Sequence, residues 1–142
     1  MPIKRISEQN NQTLEEFFSN ASSADSDNPR DGNTAMLAFI QMVNEAFVDT
    51  NIWALTSLYR LVLLNEDNWK SPWYIIVSCF STEEIYFEYL IPNGKHPWPG
   101  ARITGTTNSM TQARKYLLTA MKDSEGWTNN KELQHNLSQA NL

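Results

Sequence analysis

Cysteine occurs once, at Cys79, so no disulfide can close within the chain and a disulfide-stabilised secreted scaffold is excluded. Long apolar runs are missing too. No run, WYIIV at 73–77 included, approaches the roughly twenty residues that a membrane-crossing helix needs. The opening MPIKRISEQNNQ has two basic residues but no apolar stretch behind them, so neither a secretory nor a lipidation signal is expected. A soluble chain in the reducing cytoplasm is the expectation these absences set.

Positive charge is also scarce. Eleven Lys and Arg stand against sixteen Asp and Glu, for a net charge of −5. The basic residues are scattered rather than clustered. Nucleic-acid binding draws its affinity from basic contacts that release counterions, so no nucleic-acid partner is expected. An acidic surface suits solubility or a basic protein partner.

Catalytic apparatus is thin. Histidine occurs twice, as His96 and His135, in separate segments and without the spacing of a metal site. No nucleophile elbow, P-loop or dinucleotide-binding glycine pattern is present. The segment DSDNPRDG, 25–32, superficially resembles a calcium loop. Aligning Gly32 with the loop glycine puts Pro29 and Ala38 where oxygen ligands belong, so the match fails. No cofactor or metal is expected, and the balance leans away from an enzyme.

What the chain does carry is enough apolar material, in 142 residues, for one domain that buries about two-thirds of its unfolded surface. Residues 1–33 read as a polar, largely flexible arm with one short helix behind the capping box Thr13-Leu-Glu-Glu16. From Thr34 to Val48, Leu37, Ile40, Val43 and Phe47 form a helical stripe. Leu58–Leu64 is dense in strand formers, although residues 55–64 fit a strand or a continued helix. Trp73–Phe80 is apolar on both alternating faces, which predicts a central strand.

Glu84–Ile91 alternates cleanly, with Ile85, Phe87 and Tyr89 on one side and Glu84, Tyr86 and Glu88 on the other. These two runs predict an antiparallel hairpin. A proline-bounded loop, 92–100, follows, then a short strand at Ala101–Thr106 with Ile103 inward. A helix opens at the capping box Ser109-Met-Thr-Gln112 and ends near Gly126, the expected left-handed cap. Residues 128–142 read as a polar tail or short helix. The predicted fold is thus a two-layer α+β domain over 34–127, a mainly antiparallel sheet of three to four strands with two helices on one face.

Two functional readings follow. The first is a non-catalytic protein-binding module of adaptor, inhibitor or immunity type. It would use an acidic, aromatic-bearing surface built on Glu84, Tyr86 and Glu88 together with His96 and Trp98 of the proline loop, against a basic partner. The alternative is a small-ligand binder or enzyme with a pocket formed by Trp98, His96, Tyr89 and Trp73, where His96 is the only obvious base near neutral pH. Cys79, on a strand expected to be buried, reads as a core residue rather than a nucleophile. Self-association through an edge strand is compatible with either reading, and oligomeric state is otherwise unmarked in the sequence.

Overall fold

The computed structural model describes residues 3–9, 12–23, 31–57, 60–79, 84–92, 94–95 and 97–142. Among these residues the sheet has six strands: β1 (Ile3–Arg5), β2 (Ile52–Ser57), β3 (Arg60–Leu64), β4 (Ile75–Cys79), β5 (Ile85–Leu90) and β6 (Arg102–Thr107). They lie side by side in chain order. β1 runs parallel to β2, and every later pairing is antiparallel. The α-helices are α1 (Leu14–Ser23), α2 (Asp31–Ala46), α3 (Met110–Asp123) and α4 (Lys131–Gln139), and a 3-10 turn spans Ser7–Gln9. The α+β class matches expectation, while the sheet is wider and mixed.

The extra strands have two sources. The ambiguous stretch at 55–64 belongs to strands: β2 and β3 pair from Trp53↔Leu64 to Ser57↔Arg60 around residues 58–59, which lie outside the described residues. The other source is the expected arm. Ile3 pairs with Ile52, Ile6 donates its backbone N–H to the Ala54 carbonyl at 2.9 Å, and both isoleucines are fully buried. Polar composition masks this because only a few apolar residues, Ile3, Ile6, Leu14 and Phe18, carry the packing. Residues 24–30, inside the expected flexible arm, and residues 81–83, between the two runs of the expected hairpin, lie outside the described residues.

Capping chemistry delimits the helices. Thr13 and Glu16 form the reciprocal box, each accepting from the other's backbone N–H at 3.1 Å. Ser109 accepts from Gln112 N–H at 3.2 Å to start α3, while its own N–H is taken by the Thr107 hydroxyl. Asn130 accepts from Leu133 N–H at 2.8 Å, so the C-terminal tail does become a helix.

The apolar stripes of α1, α2 and α3 cover one sheet face. Phe39, Val43, Leu117 and Met121 meet Ile52, Leu61, Leu63, Ile75, Val77 and Phe87 in one core cluster. α4 is tied on by polar groups. Glu132 accepts from the backbone N–H of Val48 and Asp49 and from the Thr50 hydroxyl, and Asn136 bridges the Ala46 carbonyl and Arg114. These bonds satisfy backbone groups that the end of α2 leaves open. No described helix is long and apolar enough to cross a membrane.

The end of α3 departs from expectation. The left-handed residue is Glu125, φ 63°, after the cap Ser124, and not Gly126. Gly126 serves another need: a Cβ there would stand 2.9 Å from the Tyr74 ring, which itself packs against buried Trp127 at 5.5 Å. The glycine is required for a close approach, and the turn geometry falls to its neighbour.

Urea unfolding should therefore show that Ile6→Ala costs about 2–5 kcal/mol, a loss that a flexible arm could not produce. In the same assay Gly126→Ala should cost about 1–3 kcal/mol by overpacking, whereas Glu125→Gly should be neutral or stabilising by up to about 1 kcal/mol.

Candidate functional site

Helices occupy one face of the sheet, and strand parity decides which side chains are left on the other. The register places Lys4, Trp53 and Leu64 in one row, Leu55, Val62, Ile76, Glu88 and Thr104 in the next, and Ser78, Tyr86 and Thr106 beyond it. Over β2 to β4 this helix-free face is apolar. Val62, Leu64 and Ile76 are buried there with Ile6, under partial cover from Trp53, Leu55 and Trp73. Over β5 and β6 it turns polar.

Three tryptophans on or beside the apolar half each carry a cation. The Lys4 ammonium lies 5.8 Å from the Trp53 ring, the Arg60 guanidinium 5.9 Å from Trp73, and the Lys70 ammonium 5.4 Å from Trp69. Trp69 remains 52 % exposed. Leu55, Trp69 and Trp73, with Ile6, Gln9 and Ser71, line an open groove of about 670 Å³. Between the lining residues Ile6 and Glu8, Ser7 donates both its backbone N–H and its hydroxyl to Asp67; those bonds hold the Asp67 carboxyl below its ordinary range.

On the polar half, the Tyr86 hydroxyl donates to Glu88 at 3.3 Å. Desolvation, followed by the Glu88 charge, pushes the Tyr86 phenol upward. Glu88 also faces Arg102 at 3.7 Å, and Arg102 donates to the Trp73 carbonyl at 3.4 Å. Glu84 is exposed just before β5. The sheet face thus carries three of the expected surface residues, Glu84, Tyr86 and Glu88.

The other two lie elsewhere. Trp98 stands 66 % exposed in the turn after Pro97, which closes through the Ala101 N–H to the Trp98 carbonyl and a left-handed Gly100, φ 78°. His96 lies outside the described residues. The expected four-residue pocket is not assembled, because Tyr89 packs with the helix-side core while Trp73 packs on the opposite face. The sheet itself stands between them. Tyr89 instead donates to Asp123 at 3.1 Å at the rim of a separate hollow of about 370 Å³ that includes Ile91, Pro92, Lys95 and Ile103. Burial first, then Asp123, pushes its phenol up to about 12.

No local pattern in the sequence collects Trp53, Trp69 and Trp73 on one face. Two gaps explain this. Trp69 and Trp73 sit outside regular strands, where parity is silent, and the register of β2 against β3 was needed to place Trp53 and Leu55 beside them.

Among the described residues there is no group of three or more His, Cys, Asp or Glu able to hold a metal. Cys79 packs against the helix-side core, and burial pushes its thiol up to about 12, which leaves almost no thiolate near neutral pH.

Two titrations check these environments. Iodoacetamide at pH 8 should alkylate Cys79 far more slowly in the native protein than in urea. The Tyr89 phenol, raised above its unfolded value of about 10, favours the folded state below that pH and loses the contribution as pH climbs toward about 12. Stability measured across that alkaline window should therefore decline more steeply for the wild type than for Tyr89→Phe.

Compared with protein-family models, with curated proteins and with solved structures, the chain matches none, so the argument for its function rests on its own surface.

Proposed function

We propose that this chain is a non-catalytic protein-binding module, and that its partner docks on the helix-free face of the sheet. The observation that carries the reading is the exposed Trp69 beside half-buried Trp53, Leu55 and Trp73, around a groove that the 3-10 turn Ser7–Gln9 borders and that, among the described residues, none of the four α-helices lines. Aromatic side chains on a rigid sheet bury large area at small entropic cost, which is what interface anchors require. An apolar half bordered by a hydrogen-bonding half also follows the usual division between interface core and rim.

The partner chemistry that fits is a basic segment with some apolar side chains. The net charge of −5 would draw such a segment toward the protein from a distance. At the surface, an arriving Arg or Lys that displaces Lys70 from the 52 % exposed Trp69 ring would be held there in the same way. Glu8 lines the groove and Glu88 stands across the sheet, so carboxylates flank the rings on both sides. Trp98 belongs to a separate loop surface in this reading and would contribute little.

Tryptophan fluorescence provides the test. Peptides containing Arg and Leu, and counterparts with Glu in place of Arg, would be titrated into wild type, a Trp69→Ala/Glu88→Lys variant and a Trp98→Ala control. The expected result is saturable binding of the basic set only, weakening as salt rises, lost in the sheet-face variant and kept in the control. Binding of both peptide sets alike, loss in Trp98→Ala instead, or no binding at all would overturn the proposal.

A further inference from the structure

The sheet ends in two unlike edges. At one, β1 is three residues long; at the other, β6 spans six residues, Arg102–Thr107, mostly exposed and without a proline or lysine to block pairing. Its outward groups follow from the ladder. Ile91 donates to the Ala101 carbonyl at 3.3 Å, so positions 101, 103, 105 and 107 turn their backbone groups toward β5. By alternation, Arg102, Thr104 and Thr106 direct their N–H and C=O groups away from the sheet. A strand that leaves those groups open is a template for another strand.

From this edge we infer that a second copy of this chain pairs with β6 in antiparallel fashion, about a two-fold axis at Thr104. The register is set by three features of the strand itself. Centring on Thr104 pairs Thr104 with its own copy and Arg102 with Thr106 of the second copy, so all three outward positions on each chain are used. It also keeps the two Arg102 side chains apart; an axis at Arg102 would oppose like charges directly.

The third feature is steric. Ile103 lies on the helix side yet is 46 % exposed, contrary to its expected inward position, because among the described residues no strand lies beyond β6 at that edge. In the proposed register it faces Gly105 of the second copy. Gly105 has no side chain, and its vacant Cβ direction leads to the Tyr116 ring at 3.7 Å. The isoleucine of one copy would thus enter the space beside the glycine of the other and reach the tyrosine behind it. The pairing extends the sheet sideways and leaves the helix-free face open, so it stands independently of the docking proposal above.

Sedimentation over a wide concentration range should show a particle of twice the chain mass forming as concentration rises. Thr104→Pro removes an outward N–H while sparing the β5 ladder, and Ile103→Lys changes only a side chain exposed in the single copy. Each should weaken the dimer by roughly tenfold or more with the circular dichroism unchanged. Mild oxidation should crosslink Thr104→Cys, whose Cα atoms the register sets about 5.5 Å apart, but not Thr106→Cys. A single-chain mass at every concentration, a dimer indifferent to both Thr104→Pro and Ile103→Lys, or crosslinking through Thr106→Cys and not Thr104→Cys would each overturn the inference.

Discussion

Side chains on a strand alternate between two faces, and this chain brings its helices to only one of them. The consequences run through the whole molecule. On the helix side, Phe39, Val43, Leu117 and their neighbours are sealed against β2 to β5 in one cluster. On the other side, Val62, Leu64 and Ile76 are equally apolar and must be covered by something other than a helix. Ile6, arriving from the N-terminal segment, and the flanking tryptophans supply that cover, and cover built from such pieces leaves rings and grooves at the surface.

The N-terminal segment therefore has two tasks. As β1 it extends the sheet in parallel beside β2, a pairing that needs the long return through α1 and α2. As Ile6 and Ser7 it closes the helix-free cluster and ties down the turn at Asp67. α4 does comparable work with polar groups, where Glu132 and Asn136 satisfy the backbone at the end of α2. Both ends of the chain are thus joined to the middle by long-range bonds.

Hydrogen bonds pair Tyr86 with Glu88 and Tyr89 with Asp123, and an ion pair sets Arg102 beside Glu88. The single thiol is buried beyond easy ionisation. What is left outward is aromatic area, cations lying on it, and an unfinished strand edge.

The amino-acid sequence alone determined the elements whose signals are local. Capping at Thr13, Ser109 and Asn130, the buried character of β4 and the alternation of β5 all follow from neighbours within a few residues. So does the face that Glu84, Tyr86 and Glu88 share. Tertiary structure alone decided what depends on distant partners. The place of Ile3 and Ile6 in the sheet requires β2, and the need for glycine at position 126 requires the Tyr74 ring. The gathering of Trp53, Trp69 and Trp73 requires the register of the strands between them. Periodicity records which side of an element a residue occupies; which other element meets that side is a matter of packing between segments far apart in the chain, and no local pattern encodes it.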